Sequence, residues 1–309
     1  MGVTPSERQR QRHRRPAVAL ATAGCLTLAC VLFAASPAHA AHPCHGLEAT
    51  IEGTAGDDIL TGTPGPDVIF GYDGNDLIVA LGGNDHVCAG DGDDIVYGDA
   101  EVAESDNGGN DYIYGEDGND ILIGDFQTLN TTARGGVDYL HGGGGDDFLY
   151  GTAEEMTLTV GATSSAFSED TIHGGSGADH LYGQARFIRY LIPDAVVAPR
   201  SIGGNTWLDG GAGADFLYGD FEHVVVESAG PQTKTLSIEG WSDIITAGDG
   251  ADTLYGDYLH SVGKIQPTSS GMNDYLHGGL HEEDSAFAGP GHDTCANAES
   301  VTSECEIVN

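Results

Sequence analysis

The chain has 309 residues, with 48 Asp+Glu against 11 Lys+Arg and a formal charge of −37. A polyanion of this kind excludes binding to nucleic-acid phosphates, or to an anionic membrane surface, through its own charge. Hydrophobic residues make up 39%, below the share of an ordinary globular domain, which excludes a large conventional core.

In chain order, residues 1–40 read as a secretory signal peptide. Arg8, Arg10, Arg12, Arg14 and Arg15 charge its start, an apolar stretch runs from Ala17 to Ala35, and Ala38-His39-Ala40 is an A-x-A cleavage site. Arg14-Arg15 leave both general secretion and the twin-arginine route open. Without this segment, 6 basic residues face 47 acids, or −41. Residues 41–52 are expected to form an N-terminal cap. No later stretch is long and apolar enough to span a membrane, so a soluble, secreted, extracellular product is expected.

From Gly53 the sequence has a period of nine. The blocks are GTAGDDILT (53–61), GTPGPDVIF (62–70), GYDGNDLIV (71–79), ALGGNDHVC (80–88) and AGDGDDIVY (89–97). Each approximates G-G-x-G-x-D-x-U-x, with U apolar. Further nonamers start at 115, 142, 174, 210 and 247; between them lie longer blocks at 98–114, 124–141, 151–173, 183–209, 219–246 and 256–277. Nonamer-length blocks return at 279–287 and 288–296. Counted as alternating half-turns of a coil, all six expansions fall on one edge. Confinement of insertions to one face is a solenoid signature. The fold class expected is all-β: a parallel β-roll, or two-sheet solenoid, of about nine coils over 53–296. One edge carries short nonapeptide turns and the other expanded loops, and residues 297–309 form a C-terminal cap.

These motifs resemble the RTX (repeat-in-toxin, haemolysin-type) calcium-binding repeats, over most of residues 53–296. Calcium prefers six to eight oxygen ligands, more than one turn supplies. The resemblance implies that stacked turns share each ion through backbone carbonyls and the position-6 Asp, with several ions bound. Glycine at positions 1, 2 and 4 is expected to permit the tight backbone angles. Position 6 is Asp in 17 of 18 half-turns, Thr206 being the exception. The principal metal ligands expected are Asp58, Asp67, Asp76, Asp85, Asp94, Asp120, Asp147, Asp179, Asp215 and Asp252. A secondary set is Asp111, Asp138, Asp170, Asp243, Asp274, Asp284 and Asp293. The division sets the short-turn edge and the first turns of the other edge against the expanded edge, where Ser168, Trp241 and Met272 replace glycine at position 4 in three of six turns; Glu282 does so in one short turn.

Position 8 is expected to build a thin core: Val96, Leu122, Leu149, Leu181, Leu217 and Leu254 on one sheet, and Ile113, Leu140, Ile172, Leu208, Ile245 and Leu276 on the other. Position 9 carries an outward column of Tyr97, Tyr150, Tyr182, Tyr218 and Tyr255, with Phe148 and Phe216 at position 7. The other sheet shows Tyr112, Tyr139, Trp207 and Tyr275. Cross-rung stacking beneath the inserted loops is favoured over a ligand surface. The stretches 187–192 and 224–226 are apolar enough to add strands. His141, His173 and His277 read as a solvated column; zinc would need a further ligand, with Asp209 the nearest.

The mature chain has four cysteines, and export permits disulfides. Cys88 and Cys295 stand seven rungs apart in this scheme, beyond disulfide reach at about 4.8 Å per rung. Cys44–Cys88 and Cys295–Cys305 are therefore expected, one staple per end.

The sequence carries none of the HExxH, GxSxG or P-loop motifs, and only about a dozen residues flank the array on each side. The expectation is a monomeric, non-enzymatic, extracellular protein whose calcium binding is coupled to folding. A cell-surface glycan or protein held on the looped edge and aromatic ladder is the second reading. A polysaccharide-acting enzyme using loop carboxylates is the third.

Overall fold

A computed structural model describes residues 46–308, apart from 101, 104–107, 131–134, 160–167, 193–203, 229–235, 239–241, 257, 263–264, 268–273, 280–284, 288–292, 297, 299 and 302–304. The expected signal segment 1–40, Cys44 and Asp284 lie outside the described residues.

Each position-6 Asp is followed by a strand, because positions 7–9 alternate an apolar residue between two outward ones. All regular elements among the described residues are strands. After the short turns the strands form a ten-stranded sheet, from Ile59–Thr61 through Phe148–Tyr150 to Ser300–Val301. After the looped turns they form an eleven-stranded sheet, from Ile51–Glu52 through Tyr139–Gly144 to Cys305–Val308. Every pairing in both sheets is parallel and joins equivalent positions: Leu122 to Leu149 to Leu181 to Leu217, and Ile113 to Leu140 to Ile172 to Leu208. This is the parallel β-roll. The twelve position-8 residues named above have no exposed surface and belong to one continuous core cluster. Each residue is covered by its neighbours on adjacent rungs, so stability is shared along the stack.

The insertions do more than lengthen the loops. Val102–Ala103, Phe126–Asn130, Ala153–Thr159, Ala185–Ile192, Phe221–Ser228 and Tyr258–Val262 pair side by side as a third, six-stranded parallel sheet. Its register repeats that of the roll, with Phe126, Ala153, Ala185 and Phe221 in line. The strands from Phe126–Asn130 to Phe221–Ser228 each follow a short-turn strand after a two-residue bend such as Gly124-Asp125. Leu236–Ile238 and Ile265–Pro267 form a separate parallel pair.

The tyrosine column is buried rather than displayed. Tyr97, Tyr150, Tyr182 and Tyr218 form a second apolar cluster. Their rings stack at 4.9 Å (Tyr150–Tyr182), 5.0 Å (Tyr182–Tyr218) and 4.9 Å (Tyr218–Tyr255), one strand spacing apart. The Tyr182 hydroxyl donates to Glu222 Oε2 at 3.4 Å, and Arg186 Nε donates to the same oxygen at 3.0 Å. Residues of the inserted strands thus rim the column, which cannot serve as an exposed binding ladder. The outer face of the looped-turn sheet does expose rings: Tyr112 is 45%, Trp207 53% and Tyr275 42% accessible.

Candidate metal centre

Two columns of aspartates run along the two edges. On the short-turn edge, the backbone N–H of each position-6 Asp donates to Oδ1 of the next one. The chain of bonds runs from Asp58 through Asp76, Asp94, Asp120, Asp147, Asp179 and Asp215 to Asp252, at 2.7–2.9 Å. On the looped edge it runs from Asp67 through Asp85, Asp111 and Asp138 to Asp170, and again from Asp243 through Asp274 to Asp293, at 2.8–3.0 Å. Thr206 stands between these runs; its N–H and its hydroxyl both donate to Asp243 Oδ1, at 2.8 and 2.9 Å. The looped edge therefore carries the same ladder as the short edge, although it lacks glycine at position 4 in three turns.

The other carboxylate oxygen decides what these columns can do. Oδ2 of Asp76, Asp85, Asp94, Asp111, Asp120, Asp138, Asp147, Asp179 and Asp215 is buried and has no hydrogen-bond partner among the described residues. A buried carboxylate oxygen left unpaired is costly unless the group is protonated or meets a cation. Burial pushes the carboxyls of Asp85, Asp94, Asp120, Asp147 and Asp215 up to about 7, Asp111 to about 8 and Asp179 to about 6.

The turns beginning at Gly53 and Gly62 differ. Thr54 N–H and Oγ1 donate to Asp58 Oδ2 at 2.6 and 2.8 Å, and Thr63 does the same for Asp67. Asp58 and Asp67 are thus the principal candidates whose second oxygen is already satisfied by the chain.

Glycine serves two distinct purposes in the turn. At position 2, and in the short turns from the one beginning at Gly71 to the one beginning at Ala247 also at position 4, it adopts the left-handed region, as in Gly143 (φ 116°) and Gly145 (φ 135°), whereas Gly56, Gly65, Gly109, Gly136 and Gly204 at position 4 do not. Tyr72, Leu81 and Glu116 take position 2 with φ of 80°, 71° and 78°, a strained choice for a residue with a side chain. Position 1 is different and corrects the expectation that all three glycines supply backbone angles. Gly115 does not have positive φ; a Cβ there would collide with Oδ2 of Asp120 and lie close to the carbonyl oxygen of Gly142. Gly142 stands likewise against Asp147 Oδ2 and the Gly174 carbonyl. Ala80, Ala89 and Ala247 occupy the same place fully buried, so the room varies between turns.

Position 1 therefore keeps a cradle open in which an unpaired carboxylate oxygen and a backbone carbonyl lie close together. A donor set of oxygens alone suits a hard divalent cation such as calcium. No group of three or more Asp, Glu, His or Cys is gathered to hold a metal among the described residues. Each ion would take its remaining ligands from backbone carbonyls. His141 and His173 are register partners with rings 6.1 Å apart, and His173 Nδ1 lies 3.4 Å from Asp209 Oδ2.

Two sets of site-building residues escape a reading of position 6 alone. At position 5, the bond runs the opposite way along the stack: Asn119 N–H donates back to Asp93 Oδ1 at 3.0 Å, and Asp146 N–H to Asn119 Oδ1 at 2.7 Å. The signal was present as Asn or Asp before the position-6 Asp. Second, each expanded block opens with Gly and then a polar residue; Asp99, Asp125, Thr152, Gln184 and Asp220 are all buried. They clasp the necks of the insertions, Asp99 Oδ2 accepting from Gly109 N–H at 3.0 Å and Asp125 Oδ1 from Gly136 N–H at 2.6 Å.

Comparison with protein families matches the model described as "RTX calcium-binding nonapeptide repeat (4 copies)" to residues 52–87, 78–101, 105–128, 132–153, 168–185, 202–221 and 242–257. The gaps between these matches fall within the insertions that build the third sheet. No curated protein matches the chain.

Proposed function

The chain belongs to the RTX-type repeat proteins, and from that premise we propose that it is an extracellular calcium-binding β-roll whose folding is coupled to the ion. The RTX repeats imply calcium binding, and the buried aspartate ladder fits it. The observation that carries the coupling is the column of buried Oδ2 atoms without hydrogen-bond partners among the described residues. Bound calcium supplies positive charge and a coordination shell of oxygen ligands. The position-6 carboxylates hold the place of that charge, position-1 glycines keep the space open, and the Oδ1 atoms tie one rung to the next. Without the ion, closely stacked carboxylates oppose folding. Titrating calcium into chelated protein while following far-ultraviolet circular dichroism tests the coupling. A strand signal that rises with calcium is expected; an unchanged spectrum refutes it.

Export before folding, through the segment 1–40, belongs to the same reading, as do the staples Cys44–Cys88 and Cys295–Cys305. Cys88 lies in the strand His86–Asp91 and Cys295 in the strand Asp293–Ala296. The strands that carry them are seven places apart in one sheet, about 34 Å at 4.8 Å per strand, too far to bond each other. Peptide mapping that joined Cys88 to Cys295 would exclude the scheme.

A second reading, adhesion to a glycan or protein, draws support from the exposed Tyr112, Trp207 and Tyr275. Flat rings on a rigid sheet suit stacking contacts. A glycan array probed with calcium present tests it, and the absence of any binder removes the glycan form. The enzymatic reading lacks comparable support, because the loop-neck carboxylates Asp99 and Asp125 are buried.

A further inference from the structure

The insertion necks come in two chemical kinds. In the neutral kind, polar groups satisfy one another. Thr152 Oγ1 and Ser168 Oγ lie 3.1 Å apart, Thr152 Oγ1 donates to Gln184 Oε1 at 3.2 Å, and Gln184 Nε2 donates to the Ser168 carbonyl at 3.0 Å. Ser168 Oγ also donates to Asp170 Oδ2 at 2.6 Å, so the position-6 carboxylate of that turn is completed by the chain.

The acidic kind is not closed in this way. Asp99 and Asp125 each accept one backbone N–H from the returning chain, Gly109 and Gly136. The two carboxyls also act on each other electrostatically. Yet Asp125 has no exposed surface and its Oδ2 has no hydrogen-bond partner among the described residues. Oδ2 of Asp111 and of Asp138, the position-6 residues of the same two turns, is in the same condition. Asp99 acts electrostatically on both Asp111 and Asp138, and Asp138 and Asp170 act on Asp125. The charged groups that act on these necks are other carboxylates: Asp85, Asp99, Asp111, Asp138 and Asp170.

Two necks with the same backbone task thus differ in one respect. Where the second residue is neutral, the network is complete; at Asp125, a buried oxygen remains over. A clasp needs only an acceptor, which Thr or Gln provides. The surplus negative oxygen calls for a cation.

We propose that Asp99 and Asp125 are ligands of an additional divalent-cation site, placed at the necks of the turns 98–114 and 124–141 beside Asp111 and Asp138 and absent from the nonapeptide pattern. Its ligand class is a hard cation held by carboxylate and carbonyl oxygens, with calcium as the candidate. The proposal rests on the calcium reading and extends it to residues outside the repeat. The neutral necks at Thr152 and Gln184 lack such a site.

The test uses the full mature chain and counts bound calcium by native mass spectrometry at one fixed free calcium concentration. The variant is D99N/D125N, whose amide oxygens can still accept from Gly109 and Gly136. At least one ion fewer than in the wild type is expected, with the circular dichroism spectrum retained. The single variants D99N and D125N are expected to lose the same ion. An unchanged count in a folded variant overturns the proposal, and the shared carboxylates then hold a proton instead. Failure of all three variants to fold at any calcium concentration also overturns it, because the clasp and the remaining sites are intact. A wild type that binds no calcium at all is a different result: it refutes the calcium reading itself.

Discussion

The backbone N–H of Asp120 donates to Oδ1 of Asp147 at 2.8 Å, across 27 residues of sequence and one rung of the roll. That bond fixes which oxygen of Asp147 is used by the fold and leaves the other, buried Oδ2, unused by hydrogen bonding. A single side chain is thereby divided between a structural bond and a place for a cation.

The division predicts unequal consequences for adjacent acids. Asp147→Asn keeps an acceptor for the Asp120 N–H but removes the charge; calcium affinity and calcium-dependent stability are expected to fall, with a midpoint shift of about tenfold or more in calcium. Asp146→Asn, one residue earlier and on the solvent side, keeps its acceptor role toward Ala178 N–H and is expected to shift the midpoint little. Parallel calcium titrations of the two variants check this, and equal shifts would contradict the assignment of roles.

The calcium-free chain should show an inverted pH dependence. Burial raises Asp85, Asp94, Asp120, Asp147 and Asp215 to about 7 in the folded state, against about 3.9 when unfolded. Between these values the folded roll holds more protons than the unfolded chain, so its stability is present at low pH and lost as pH rises through about 7. In chelator, melting at pH 5 is expected above melting at pH 8. In calcium the ligands must be deprotonated, and affinity is expected to weaken as pH falls below about 7. A chelated protein more stable at pH 8 than at pH 5 would contradict the burial of these groups.

Glu116 holds a φ of 78° at position 2, where Gly143 on the next rung has 116°. A side chain in the left-handed region costs about 1–2 kcal/mol. Glu116→Gly is expected to stabilise the calcium-loaded roll by about 1 kcal/mol after the entropy of the added glycine is subtracted. Thermal melting in saturating calcium measures it, and a lower Tm would count against the strain.

The core should be sensitive along its middle and tolerant at its outer rows. Leu149 has no exposed surface and pairs with Leu122 and Leu181; Leu149→Ala is expected to cost about 2–5 kcal/mol. Ile59 is 78% exposed, and Ile59→Ala is expected to change stability by about 0.5 kcal/mol or less. Denaturant unfolding in calcium compares the two.

Much of this molecule was legible in its sequence because its contacts repeat with the chain. A nine-residue period puts position 8 on one row and position 6 on another, whatever lies between, so Leu149 beside Leu181 and Asp147 beside Asp179 followed from counting alone. The confinement of insertions to one edge followed in the same way. Position-5 Asn and Asp were visible too, but their backward bond needed the relative height of two rungs, which a period does not contain.

The tertiary structure decided what depends on parts without a shared pattern. The insertions differ in length and composition, and only their pairing shows that Phe126–Asn130, Ala153–Thr159 and Ala185–Ile192 form one parallel sheet. That pairing places Glu222 and Arg186 against the tyrosine column and so buries it. It also brings Asp125 to Gly136, 11 residues later in sequence, across an insertion neck. Periodicity determines neighbours within the repeat because equal spacing forces equal height. Contacts made by unequal segments are determined by packing, which only the folded chain contains.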